Sequence, residues 1–95
     1  MHKPLHPGKF IAEVYLSPYG VSRRKLARHL DVSVSTLNRL LHGAATVNAD
    51  MALRLEKALG RSAESWMAMQ RNYGLWRARQ RVNLSRVSKL QLRAA

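Results

Sequence analysis

Apolar residues recur along this chain in short 3.6-residue registers broken by turn signals, the pattern of several small amphipathic helices. Pro7 stands where a first helical residue tolerates a missing N–H, and Phe10, Ile11, Val14 and Tyr15 come next at helical spacing up to the turn Ser17-Pro18-Tyr19-Gly20. Ser22 predicts the N-cap of a second helix with Leu26, Ala27 and Leu30 on its inner face, halted at Asp31 and Val32. Ser33 caps a third, in which Val34, Leu37, Leu40 and Leu41 are expected to face inward and Ser35, Thr36, Asn38 and Arg39 outward, with Gly43 as its stop. Asn48 opens a fourth, with Asp50 in its first turn and Met51, Ala52, Leu55, Ala58 and Leu59 in register up to Gly60. Ser62 opens a fifth that carries Trp66, Met69, Tyr73 and Trp76 along one side. Glu64 near its start and Arg77, Arg79 and Arg81 near its end complement the helix dipole.

Periodicity does not settle the tail. Leu84, Val87 and Leu90 fit a helix, whereas Val82/Leu84 and Leu90/Leu92 alternate as strands do. From Arg77 to Ala95 there are six basic residues and no acidic one, a composition that suits a segment ordering against a partner. No internal repeat or low-complexity stretch interrupts the chain. Its 95 residues are enough to bury more than roughly 60% of the unfolded surface, so a single all-α domain over 1–95 is expected. Within it the long fifth helix and tail occupy about 62–95.

Charge narrows the function more than size does. Seventeen Lys and Arg against five Asp and Glu leave a formal +12, a field that attracts polyanions, nucleic acid first among them. A basic membrane-surface helix is the weaker reading, because turns interrupt the basic segments and no wide apolar face accompanies them. Cysteine is absent, which excludes disulfides and thiolate metal sites and fits a reducing compartment. The start MHKPLHPGKF lacks the apolar run of a secretory signal, and no uncharged stretch nears the ~20 residues that span a bilayer. A soluble protein of the bacterial cytoplasm, without metal or other cofactor, is the expectation.

Two short helices joined by a three- or four-residue turn, with a small residue in the first and a β-branched one in the turn, meet the needs of a helix-turn-helix, here at about 22–43. Ala27 is small enough for a close helix crossing, and Val32 plugs the corner. In this motif the second helix enters the major groove, so Val34, Ser35, Asn38 and Arg39 are the candidate base readers. Arg39 suits guanine, Asn38 adenine and Val34 a thymine methyl. Ser22, Arg23, Arg24, Thr36 and His42 sit at helix ends where phosphates are gripped. A solvated face of the second helix is the alternative reading for Arg24, Lys25 and Arg28, and the better one for Arg28.

Catalysis by general acid and base needs titratable groups that converge. Here His2 and His6 lie in the leader, His29 and His42 end different helices, and the carboxylates are scattered, so an enzyme such as a ribonuclease is disfavoured. A sequence-neutral RNA binder lacks its aromatic platform or Gly-rich clamp. One module of this size binds DNA weakly, and specificity is expected from a homodimer on a palindromic operator. Trp66 and Tyr73 are expected in the core, whereas Trp76, Leu84, Val87 and Leu90 are the candidates for the dimer seam.

SRRKLARHLDVSVSTLNRLLHG resembles the five-helix Cro/repressor-like (XRE) class. His6-Pro7-Gly8, the Ser17-Pro18-Tyr19-Gly20-Val21-Ser22 turn and NADMALRLEKALGRSAESWMAMQRNYGLW narrow the resemblance to HigA-type antitoxins, over roughly Pro4 to Arg79. The departures are Arg23 where many relatives carry Gln, Asp31 where they carry Gly, and Ala44 and Ala45 where they tend to be basic. The resemblance implies an antitoxin that represses its own operon and neutralises a small ribonuclease toxin encoded beside it. A free-standing repressor of the same class, without a toxin partner, is the alternative.

Overall fold

The computed structural model describes residues 3–94. Five α-helices succeed one another: α1 (Pro7–Ile11), α2 (Arg23–Leu30), α3 (Val34–Leu41), α4 (Ala49–Leu59) and α5 (Ala63–Arg81), and no strand occurs among the described residues. The predicted caps operate as such. Ser22, Ser33, Asn48 and Ser62 each accept, through the side chain, a backbone N–H three residues on, so every one of these helices has an orphan donor satisfied at its start.

Helix one departs from the expected register. After Ile11 it widens into a π-helical turn over Ala12–Leu16, with Ser17 N–H bonding the Ala12 carbonyl at 2.9 Å and Val21 N–H the Leu16 carbonyl at 3.0 Å. In an α-helix residues five apart point about 140° away from one another. The wide turn instead lets Ile11 and Leu16 share the core side. Val14, which shares the helical spacing of Phe10 and Ile11 in the sequence, is turned out and 40% exposed.

Ile11, Leu16, Leu26, Ala27, Leu30, Leu37, Leu40, Leu41, Val47, Ala52, Leu55 and Trp66 form one buried cluster, so the helix-turn-helix shares its core with α1, α4 and α5. A buried leucine of this kind contributes about 1.5–3 kcal/mol. Trp66 is fully buried, as expected, with Phe10 edge-on to it at 5.8 Å and Tyr15 at 6.2 Å. α1 crosses α3 at Gly8, where a Cβ would lie 2.0 Å from the Leu40 carbonyl oxygen; only glycine permits that approach. His6, assigned to the leader by sequence, is instead a buried part of this crossing. Its Nδ1 caps α1 by accepting from Gly8 N–H at 2.9 Å, and its ring meets Tyr73 of α5 edge-on at 5.0 Å. His2 lies outside the described residues.

Past Arg81 the chain runs without regular structure, apart from a turn at Ser85 and Arg86, and stays exposed. Neither the helical nor the strand alternative for this tail is realised, because Leu84, Val87 and Leu90, at 64%, 69% and 73% exposure, have no apolar face to pack against among the described residues.

Candidate nucleic-acid interface

Asp31, Val32 and Ser33 make the turn between α2 and α3. Asp31 takes the left-handed conformation (φ 57°) in which a glycine would be at ease. Asp31 N–H bonds the Arg28 carbonyl and Val32 N–H the Ala27 carbonyl, the paired bonds of a Schellman ending. α3 ends in the same way. Gly43 (φ 77°) donates to Leu40 and Ala44 to Arg39, so the exposed C-terminus of α3 is fixed without help from a ligand. Ser33 both accepts from Thr36 N–H (3.0 Å) and donates to Thr36 Oγ1 (2.9 Å), which orients that hydroxyl at the start of α3.

α3 turns Leu37, Leu40 and Leu41 inward and leaves Ser35, Thr36 and Arg39 exposed, with Asn38 half-buried. Val34, expected inward, is instead 37% exposed. It occupies the first position of the helix, before the core-facing stripe begins, and stands with Ser35, Asn38 and Arg39 on the outer side. The Arg39 guanidinium has no hydrogen-bond partner among the described residues. Ser22, Arg23, Arg24 and His42 are exposed as well.

Two of these residues meet directly. Arg23, first residue of α2, donates from Nη1 to Asn38 Oδ1 at 2.9 Å, and the same nitrogen lies 3.5 Å from His42 Nε2. A residue placed by sequence among the phosphate contacts thus bridges a base-reading candidate and another phosphate candidate. The Trp76 ring is half-buried, beside Tyr73 at 6.3 Å and beneath the Lys3 ammonium at 5.4 Å, and stands apart from this surface at the far end of α5.

Sequence reasoning missed the residue that ties the motif to the rest of the fold. Arg54 of α4 pairs with Asp50 at 2.6 Å and donates from Nη1 to the carbonyls of Leu30 (2.9 Å) and Asp31 (3.0 Å), clamping the turn of the motif. The Asp50/Arg54 spacing of four was the available signal. Two further ties hold α5. Gln70 accepts Val47 N–H at 2.8 Å, and Glu56 accepts Ala63 N–H at 2.8 Å. The reading helix α3 packs against α1 and α2, and the turn that precedes it is clamped to α4, which suits recognition that depends on fixed side-chain positions.

Among the described residues no group of three or more His, Asp or Glu side chains is placed to hold a metal, and no helix is long and apolar enough to cross a membrane. His6 is buried among α1, α3 and α5, whereas His29 and His42 are exposed near the ends of α2 and α3.

The helix-turn-helix family model matches residues 11–66. Virulence-associated protein I of Dichelobacter nodosus is 42% identical over 76 residues, covering 80% of this chain and 70% of that protein. Antitoxin HigA of Pseudomonas aeruginosa, solved with the higBA promoter, superposes with a TM-score of 0.77 at 36% identity, over 81% of this chain and 84% of that one. Antitoxin GraA in complex with its operator superposes with a TM-score of 0.82 at 34% identity, over 99% of this chain and 95% of that one.

Proposed function

The chain belongs to the helix-turn-helix family, in the branch of the HigA-type antitoxins, and from that premise we propose that it is a sequence-specific DNA-binding antitoxin. In this reading it represses its own operon as a homodimer and neutralises a small ribonuclease toxin encoded beside it. The observation that carries the DNA-binding part is the exposed face of α3. Ser35, Asn38 and Arg39 stand on a helix packed against α1 and α2, its preceding turn clamped by Arg54 of α4, in a chain of net charge +12. Val34, Ser35, Asn38 and Arg39 read bases, while Ser22, Arg23, Arg24, Thr36 and His42 hold phosphates. That HigA and GraA were solved on promoter and operator DNA supports the assignment.

Dimerisation is expected from the weakness of one module on DNA. The seam is assigned to Trp76, Leu84, Val87 and Leu90, because the tail leaves its apolar side chains exposed. The protein acts by binding rather than catalysis, in the bacterial cytoplasm where its duplex lies. Two experiments test the reading. The purified protein should retard the promoter of its own gene and not a scrambled duplex of equal length; equal retardation of both refutes sequence-specific repression. A small protein from the adjacent reading frame should copurify with it and regain ribonuclease activity on release. A protein that binds its promoter but captures no such partner is a free-standing repressor.

A further inference from the structure

The contact between Arg23 and Asn38 joins residues that the sequence assigns to different tasks, and its chemistry restricts what Asn38 can read. Arginine carries five N–H donors and no acceptor, so only the oxygen end of the Asn38 amide can meet Nη1 at 2.9 Å. His42 Nε2 lies 3.5 Å from the same nitrogen and, in the tautomer that leaves it unprotonated, offers the guanidinium a second acceptor. An asparagine that reads adenine uses both ends of its amide at once, Nδ2–H to N7 and Oδ1 from N6–H. Here Oδ1 is held back toward α2 by a charge-assisted bond. Oδ1 keeps a second lone pair, but the Arg23 bond directs the oxygen toward α2, so the amide end turned to the groove is the NH2 donor. Guanine offers N7 and O6 as adjacent major-groove acceptors and no donor, which makes it the base that a donor-only reader fits.

We infer that Arg23 is a positioning residue that sets the base preference of Asn38, turning it from an adenine reader into a reader of the acceptor edge of guanine. The inference rests on the DNA-binding role proposed above. It replaces the adenine expectation drawn from residue type alone. Arg23 is exposed and keeps further N–H groups for a phosphate, so one side chain anchors the duplex and orients its reader.

Selection of bound sequences from a randomised duplex library decides the matter, using the wild type, Arg23→Ala, Asn38→Ala and the double variant, each first shown by circular dichroism to keep its helix content. Arg23→Met, which retains the apolar stem, serves as a second variant at that position. The position whose preference vanishes in Asn38→Ala is the Asn38 contact. There the wild type should prefer guanine over adenine by roughly five- to a hundredfold. Arg23→Ala should move that one position toward adenine, and should change nothing there once Asn38 is alanine. Adenine in the wild type, an Asn38→Ala variant with every preference unaltered, or an Arg23→Ala variant weakened equally on all sequences overturns the positioning role while sequence-specific binding stands. A wild-type protein that selects no sequence overturns the DNA-reading role and the inference together.

Discussion

Replacing Gly8 by alanine probes the contact that sets the reading helix on its scaffold. The new Cβ would lie 2.0 Å from the Leu40 carbonyl oxygen and 2.8 Å from both the Leu40 carbonyl carbon and Leu41 Cα, all of them backbone atoms of α3. No rotamer change relieves such a clash, so α1 and α3 must separate by about an ångström or more to restore ordinary contact. Overpacking in a core costs typically 1–3 kcal/mol, and a backbone obstruction belongs at the upper end. Alanine recovers up to about 1 kcal/mol of helix propensity. The net loss is then about 2 kcal/mol, a fall in Tm of roughly 8–16 °C for a domain of this size. Gly74 provides the control, since it lies inside α5 with nothing within 4 Å of its added Cβ. Gly74→Ala should stabilise by about 0.5–1 kcal/mol. Thermal unfolding followed by circular dichroism distinguishes the two. A Gly8→Ala protein that melts at or above the wild type, or two variants that shift alike, would refute the close-crossing argument.

Burial pushes the His6 imidazole below its ordinary value, the Ala45 backbone opposes that fall and Arg77 adds to it. The unfolded chain therefore takes up the proton first, so stability is intact above about pH 6.5 and declines as pH falls below it. Protonation also fills the Nδ1 acceptor that caps α1. Urea midpoints compared at about pH 7.5 and 5.5 should separate further in the wild type than in His6→Asn, and equal separations would remove the histidine from the account. Asp31→Gly should raise stability by about 1 kcal/mol in urea unfolding, because the left-handed turn position then carries no Cβ; a loss would mean that the carboxylate contributes more than the strain removes. Arg39→Ala should lower affinity roughly five- to a hundredfold, at one base position only, when operator variants are compared in a binding assay. Uniform loss across the variants would make Arg39 a phosphate contact.

The features legible in sequence are local ones. Ser22, Ser33, Asn48 and Ser62 declare themselves as caps because a short side-chain oxygen, ahead of a helical register, acts within three residues. The αL ending at Gly43 and the burial of Trp66 come from residue type and register in the same way. The features that escape depend on elements distant in the chain. The π turn at Ala12–Leu16 is a compromise between Ile11 and Leu16 that only the assembled core imposes. His6 reads as leader sequence because its partners, Tyr73 and the neighbourhood of Ala45, come from α5 and the loop after α3. The His-Pro pair at a helix start was the cue. Arg23 and Asn38 are fifteen positions apart, and Arg54 reaches carbonyls more than twenty positions upstream, so neither pairing leaves a trace in periodicity. The tail is ambiguous in sequence for a physical reason visible in the fold. Its apolar residues satisfy a helical and a strand register alike, and nothing among the described residues covers them to select one.

A protection footprint of the purified protein on the promoter of its own gene is the decisive test of sequence-specific binding by α3. Two protected half-sites related by a palindrome are expected, with centres one helical turn, ~34 Å, apart. Protection should be lost when Asn38 and Arg39 are both replaced by alanine in a protein that still folds. Diffuse protection that tracks salt concentration but not sequence, or half-site protection that survives the double replacement, would contradict such binding.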